Sequence, residues 1–422
     1  MKFIFKSTLS IFVLSLFFIQ TVFVYACGMS MISTSSSGWT YGNDSAERSY
    51  INYENGIEHL IISRTFENGS ADAVWVIPVP ASPTAINVDV LGEDPNFFGY
   101  DVLAKTKEEL KSIKEGLLAT QIYPLVPIIL SSLVDGKSVD GSSGVSLSKG
   151  VPQGSRGISG VDVYNHIEKN GMTAEVLSAT KSDALYAYLN EKGLNVAKNS
   201  LPILQDYIGK DFSFVATWVS SSTEKVQAKG VLINFPTNRI FYPLKPESGT
   251  PGEGLPETIT VVGHVTPELY AGIKNSTYVD YFHSYNSPKL AGFFSSDHDF
   301  NYTKIVINTA PKNLTEDLYI SPTAPAKVIF ANSFSQNTFA YSLLLLFIVS
   351  LISSYLASVL LLTEKRFSTV VKMTIAGCFT LIGTIIGSRI FLTEKKWKFV
   401  FAHSVIFVAL TLVLLSVLSN IY

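Results

Sequence analysis

The sequence predicts an α+β protein: a strand-rich exported domain, in one lobe or two, followed by a three-helix transmembrane hairpin bundle. Three observations predict it. Charged residues make up only 16% of the 422 residues and hydrophobic ones 47%, whereas an ordinary soluble domain carries about a quarter charged residues. The apolar excess collects at the two ends of the chain. Between the ends, short apolar runs bounded by Gly, Asn and Asp mark strands, with a few helical stretches among them.

Residues 1–26 read as an export signal. Lys2 and Lys6 form its positive start, an apolar stretch runs from about Leu9 to Val24, and Val24-Tyr25-Ala26 offers a peptidase site. The apolar run is also long enough for a retained anchor. Val24-Tyr25-Ala26-Cys27 resembles a lipoprotein box too, with Tyr25 a poor fit. Cys27 is then either a lipidated N-terminus or a free cysteine at the mature end. Simple cleavage is the preferred reading, because stronger anchors follow downstream.

The N-terminal lobe covers residues 27–134 and opens with strands. Ser49 to Asn52 and Ile57 to Thr65 flank Asn55-Gly56, a two-residue hairpin turn. Ala73 to Val79 and Asn87 to Leu91 are further strands. Leu110, Ile113 and Leu117 share one face of a helix from about Lys105 to Leu118, opposite Glu108, Lys111 and Glu115. Residues 135–160 are dominated by Gly and Ser and form a flexible segment. Gly136-Lys137-Ser138 mimics the end of a P-loop, but Ser131 stands where its first Gly is needed.

The C-terminal lobe covers 161–335. Strands fall at Val161–Tyr164 and Ala174–Ser178, and a helix opens at Thr180-Lys181-Ser182-Asp183 with Thr180 or Ser182 as N-cap and Gly193 as its stop. A short helix holds Leu201 to Ile208. Strands follow at Phe212–Val219, Val231–Asn234, Arg239–Tyr242, Glu257–His264 and Lys304–Asn308.

Residues 336–422 are the membrane anchor. Apolar runs at about Phe339–Leu362, Val371–Leu392 and Phe399–Leu418 each reach the roughly 20 residues that cross about 30 Å of hydrocarbon. Thr363–Phe367 and Thr393–Lys398 form the breaks. Both breaks are basic, which strains a three-span reading, because positive loops belong on one side of the membrane. The middle run is the least apolar and could be tilted, shallow or re-entrant. The preferred reading is three spans with a cytoplasmic C-terminus. Gly383 and Gly387 have the GxxxG spacing that lets helices approach closely, or are simply common membrane glycines. His403, about one turn inside the third run, is a functional candidate or an interfacial residue.

Charge separates these parts further. Residues 336–422 carry seven Lys/Arg and two Glu, the signal carries two Lys, and the whole chain is −2, which leaves about −9 on residues 27–335. An acidic exported domain argues against nucleic acid as a partner. Membrane lipid and other envelope or membrane proteins are the expected partners. Cys27 and Cys378 are the two cysteines, so the exported domain forms no internal disulfide.

Trp75-Val76-Ile77-Pro78-Val79-Pro80 is the most distinctive local pattern. Two prolines two residues apart place their missing N–H groups on one strand edge, which reads as a sheet edge or a polyproline-like strand end. A groove ligand for a proline-reading partner is the alternative.

This pattern resembles the signature of the bacterial domain-of-unknown-function family 2330. Three further blocks agree in order: Ala174–Ala179 leading into Ala184–Gly193; Leu201–Tyr207 followed by Phe212–Val215; and Phe235-Pro236-Thr237 followed by Tyr242-Pro243-Leu244. The resemblance implies an exported bacterial protein, often ending in a membrane segment, and carries no catalytic residue with it. Members often have further cysteines near the start and in the Gly-rich stretch, and this chain lacks them.

Chemistry-bearing patterns are sparse. His59, His166, His264, His283 and His298 show no metal-ligand spacing. Asp297, His298 and Asp299 are the densest polar group, a weak candidate for a metal ion or an exposed loop. No GxSxG elbow occurs, and no cofactor is expected. Gly249–Gly254 lacks a nucleotide-binding context. Three functions remain: a binding or structural module at the cell envelope, an extracytoplasmic hydrolase or metal-dependent enzyme that needs the Asp297–Asp299 loop near His264 or His283, and a sensor or transport accessory working through its membrane helices.

Overall fold

A computed structural model describes residues 29–34, 38–41, 47–64, 73–93, 95, 97–121, 160–192, 201–219, 230–249, 256–285, 293–294, 300–362 and 367–421. The strands are β1 (Met29–Thr34), β2 (Gly38–Tyr41), β3 (Glu47–Glu54), β4 (Ile57–Arg64), β5 (Ala73–Val79), β6 (Asn87–Leu91), β7 (Gly99–Asp101), β8 (Val161–Lys169), β9 (Met172–Ala179), β10 (Ser213–Val219), β11 (Gly230–Pro236), β12 (Ile240–Tyr242), β13 (Glu257–Val262), β14 (Thr266–Pro267), β15 (Thr277–Ser284), β16 (Asn301–Ile307) and β17 (Leu318–Ser321). The helices are α1 (Val102–Ala119), α2 (Ser182–Glu191), α3 (Leu201–Gln205), α4 (Ala326–Gln336), α5 (Thr338–Leu361), α6 (Phe367–Gly377), α7 (Thr380–Phe391) and α8 (Lys396–Ile421). The chain forms two compact units. One comprises Met1–Phe97, Leu147–Asp280 and Ser287–Thr323, and the other Phe98–Ser146, Tyr281–Asn286 and Ala324–Tyr422.

The first unit is a sandwich. One sheet runs β2-β1-β5-β10-β9-β8, the second β6-β11-β4-β3-β13-β16-β15, and β12-β17-β14 form a small third sheet. All pairings in the first sheet are antiparallel, whereas β13 and β3 run parallel in the second. Strand alternation explains how the sheets bury both faces. Trp75, Ile77 and Val79 of β5 and Val215 of β10 meet Ile51, Leu60, Ile233 and Ile259 of the second sheet in one core. Val76, Phe214, Ala216 and Leu177 face the other way and pack under Leu185, Tyr188 and Leu189 of α2 and Leu204 of α3. The outer face of the second sheet buries Tyr50, Ile61 and Leu232 under Phe293.

The Asn55-Gly56 hairpin forms as expected, with both residues at positive φ (55° and 78°), the conformation a two-residue turn requires. Asn170-Gly171 makes a second such turn between β8 and β9, at φ 55° and 81°. β5 is an interior strand rather than a sheet edge, but it ends at Val79, so Pro78 and Pro80 stand at a strand end, the other form of the expected reading. Pairing with β1 ends at Val76 while β10 continues to Val79, so Pro78 lies on the half of the strand that has a neighbour on one side only, where a missing donor is tolerated. α2 begins at Ser182 after Lys181, with no side-chain cap. Thr180 instead bonds through its hydroxyl to the Gly160 carbonyl.

In the second unit Asp101 caps α1, its carboxylate accepting from the Leu103 and Ala104 amides at 2.8 and 2.9 Å. β7 pairs with the end of β15. Leu110, Ile113 and Leu117 of α1 cluster with Phe334 of α4, Val349 of α5, and Phe407 and Leu415 of α8.

The three-helix anchor needs correction. Among the described residues two helices, α5 with 24 residues and α8 with 26, are long and apolar enough to cross a membrane. The middle run is not one helix. It breaks at Cys378-Phe379 into α6 of 11 residues and α7 of 12, and Thr380 opens α7 in a left-handed conformation at φ 61°.

Candidate functional site

Several sequence candidates lie outside the described residues: Cys27, Asp297, His298, Asp299, Gly193 and most of the Gly/Ser-rich segment. Among the described residues no group of three or more His, Cys, Asp or Glu side chains could hold a metal ion. Trp75 is buried in the sandwich core. Tyr242 is buried there too, with its hydroxyl 3.0 Å from Ser49 Oγ, and Pro243 follows it. Both side chains therefore pack in the sandwich core. His59 pairs across strands with Asn234, Nδ1 to Oδ1 at 2.7 Å, and His283 bonds Gln336 at 3.2 Å.

The polar clusters of the sandwich escaped the sequence reading. Glu175 on β9 is buried on the helix-covered face of its sheet. The Tyr188 hydroxyl donates to its Oε2 at 2.5 Å, His166 Nδ1 lies 2.8 Å from Oε1, and the Lys192 ammonium lies 3.3 Å from Oε1. Burial and the adjacent Glu175 carboxylate push the Tyr188 hydroxyl above its usual range, so it stays protonated as the donor. A buried carboxylate needs such partners, and here they clamp α2 onto the sheet. The clue was Asn170-Gly171, since counting back from that turn pairs His166 with Glu175.

Asp317 forms a second clamp. Tyr207 donates to its two oxygens at 2.9 and 3.0 Å, and the Lys245 amide donates at 3.0 Å. Burial raises the Asp317 carboxyl above its usual range. Glu58 on β4 is fully buried. Its Oε2 accepts from the Phe241 amide at 2.8 Å, while its Oε1 has no partner among the described residues. Burial holds this carboxyl well above the usual range, which favours the neutral acid. These groups tie strands and helices together.

The second unit has the more unusual site. Its helices bury polar side chains against one another: Ser350, Ser353, Ser354 and Ser358 of α5, Thr384 and Ser388 of α7, and His403 and Thr411 of α8. His403 Nδ1 lies 3.3 Å from the Thr384 hydroxyl. Ser354 donates to the Met373 carbonyl at 2.8 Å, stitching α5 to α6. The Ser350, Ser358 and Thr411 hydroxyls have no partner among the described residues. Many large apolar side chains of the same helices point outward, with Leu360 67%, Ile390 66% and Phe401 72% exposed. A cavity of about 30 Å³ lies between α1 and α5, lined by Ile113, Leu117, Phe339, Leu343 and Leu346. It is apolar and too small for a ligand.

Gly383 and Gly387 do serve close packing. A Cβ on Gly383 would meet the Ala376 carbonyl oxygen at 2.1 Å, and one on Gly387 the Ala376 Cβ at 2.4 Å. Gly377 matters equally and was not singled out: a Cβ there would lie 2.0 Å from Ser354 Oγ.

No curated protein matches the chain. Solved structures of baculovirus P35 are similar at low level. The crystal structure of P35 matches at 10% identity and a TM-score of 0.24, covering 66% of this chain and 97% of that one. A mutated, caspase-cleaved form at 2.7 Å resolution matches at 8% identity and a TM-score of 0.25, covering 66% and 96%. Likeness at this level carries no conclusion about this chain. The family model described as an uncharacterized protein conserved in bacteria matches residues 23–248, more than half of the chain and the whole run of blocks from Trp75 to Leu244. The chain belongs to the DUF2330 family of bacterial proteins.

Proposed function

We propose that the protein is a binding or structural module of the bacterial cell envelope, in which α5 and α8 anchor an exported sandwich on the extracytoplasmic side. The inside-out residue distribution of α5 and α7 carries this reading. A helix in a water-soluble bundle buries Leu and Phe and exposes Ser and Thr. These two bury mainly Ser, Thr and Gly and expose Leu, Ile and Phe, which suits lipid as their surroundings. The positive start and apolar stretch of residues 1–26 support export. The described polar clusters, whose partners clamp elements of the sandwich together, support a binding or structural role.

Fractionation tests the anchor and protease shaving tests the side. The full chain is expected to stay with membranes through alkaline carbonate. In spheroplasts, external protease is expected to remove the sandwich epitope. Release into the carbonate supernatant, or protection of the sandwich until lysis, would refute the reading.

A sensor or transport accessory is the second reading. It is favoured by the buried polar seam around His403, since ionisable groups at membrane depth tend to be functional.

A further inference from the structure

We propose that α6 and α7 form a re-entrant hairpin that enters and leaves the bilayer on the cytoplasmic side. The chain then spans the membrane twice, and its C-terminus lies on the same side as the sandwich. This rests on the anchoring reading above.

Length is the first argument. At about 1.5 Å per residue, α6 with 11 residues and α7 with 12 reach only about half of the roughly 30 Å hydrocarbon core. By the same rise α5 and α8 reach across it.

The contacts show that α6 and α7 fold back on each other. Ala376, near the end of α6, packs on Gly383 and Gly387, and Lys372, further back on α6, lies over the ring of Phe391 at the end of α7. Position falls along α6 as it rises along α7, so the two are antiparallel neighbours. The turn between them satisfies its own backbone, with the Cys378 amide on the Ile375 carbonyl at 3.1 Å and the Phe379 amide on the Ala376 carbonyl at 3.2 Å. Backbone at membrane depth requires this.

The decisive observation is where the two ends of the pair lie. Leu362 after α5, Leu392 after α7, and Phe399 in the first turn of α8 share one apolar cluster, with Val370 of α6 packed against it. The entry to α6 and the exit from α7 are therefore at one end of the bundle. A spanning segment would put them at opposite ends.

This placement removes the charge conflict. Between residues 338 and 422 every charged residue falls on the two connections, the hairpin or the first turn of α8: Glu364, Lys365, Arg366, Lys372, Arg389, Glu394, Lys395, Lys396 and Lys398. The start of α5 and the last two turns of α8 carry none. With three spans the positive residues would be split between two faces. With the hairpin they gather on one face, which the positive-inside rule assigns to the cytoplasm. There they suit the anionic headgroups of the inner leaflet.

Single cysteines in the full chain test the topology. Ser368→Cys, Lys398→Cys and Asn420→Cys, at exposed positions, are placed in a Cys27→Ser, Cys378→Ser background that still resists carbonate. A membrane-impermeant maleimide is applied to spheroplasts before and after permeabilisation. The expected result is labelling of Asn420→Cys in intact spheroplasts, and of Ser368→Cys and Lys398→Cys only after permeabilisation. Labelling of Ser368→Cys and Lys398→Cys from opposite sides overturns the hairpin. Alkaline phosphatase fused after Tyr422 gives an independent readout, and an inactive fusion overturns the external C-terminus. Loss of carbonate resistance in the unsubstituted chain would instead remove the anchoring reading, so the two failures are distinguishable.

Discussion

The two units invert one another. In the sandwich the cores are aliphatic and aromatic, and the carboxylates of the buried Glu175 and the half-buried Asp317 are held by specific partners. In α5 and α7 of the helical unit Leu, Ile and Phe face outward while Ser, Thr and Gly fill most of the inner face, and α8 buries His403 and Thr411 beside Phe399 and Phe407. On the anchoring reading proposed above, the contrast follows from the surrounding medium. Water drives apolar surface inward at about 25 cal/mol per Å². Lipid gives no such drive, so helices associate through small residues, close packing and hydrogen bonds. A Leu on the surface of α5 and a Leu in β4 are the same residue answering different solvents.

The sharpest way to break this comparison is to truncate one large apolar residue in each unit. Phe235→Ala in the sandwich core is expected to cost about 3–5 kcal/mol. Phe401→Ala on the outer face of α8 should change stability by less than about 0.5 kcal/mol. Thermal unfolding of the full chain in detergent, followed by near-ultraviolet circular dichroism, reads both. Equal losses would mean that Phe401 is covered by protein and that the inversion is wrong.

Small residues come next. Gly377→Val drives a side chain into Ser354, and Gly387→Leu drives one into Ala376, so each should cost about 1–3 kcal/mol by overpacking. The helical unit should lose monodispersity in gel filtration while the sandwich keeps its unfolding midpoint. A glycine change without such effect at Gly56, where a Cβ would meet nothing within 4 Å but φ is +78°, would separate crowding from backbone conformation.

Tyr188→Phe removes the hydrogen bond to Glu175 and leaves His166 and Lys192 in place. A bond to a charged acceptor contributes about 1.5–3 kcal/mol, and with two partners remaining the lower end is expected. Chemical denaturation of the sandwich should show an earlier midpoint. An unchanged midpoint would mean the clamp contributes nothing to stability.

The smallest effect is a slope. Burial raises the Glu58 carboxyl far above the unfolded value, which lies near about 4.3. A raised acid is favoured in its neutral form by the fold. Its contribution is thus complete below the unfolded value and is lost as pH rises through the folded one. Asp317 shifts in the same direction. The sandwich should therefore lose stability as pH rises above the ordinary carboxylate range, and Glu58→Gln should flatten that decline. A variant with the wild-type slope would show that Glu58 does not titrate with folding.

Much of this was legible before folding. Asn55-Gly56 announced its hairpin because few residues tolerate two successive positive φ values. The spacing of Leu110, Ile113 and Leu117 announced α1. Asn170-Gly171 carried an equal signal that was passed over, and with it the pairing of His166 and Glu175. β15 and β17 gave weaker clues, since Thr277–Ser284 buries only two of its eight residues and Leu318–Ser321 has only four residues. The break at Cys378-Phe379 had almost no local mark. It lacks charge, proline and a glycine pair, so a hydropathy window passes across it.

The sequence by itself determined the periodic elements, the tight turns, the two long apolar helices and the separation of acidic from basic regions. These depend on local backbone preference and on average solvent transfer, both readable residue by residue. Tertiary structure alone decided that β5 lies inside its sheet, that β13 runs parallel to β3, and that the middle apolar run turns back on itself. Each of these depends on which surfaces meet. Gly377 against Ser354 and Gly387 against Ala376 are contacts between chain segments, and no local pattern encodes the partner.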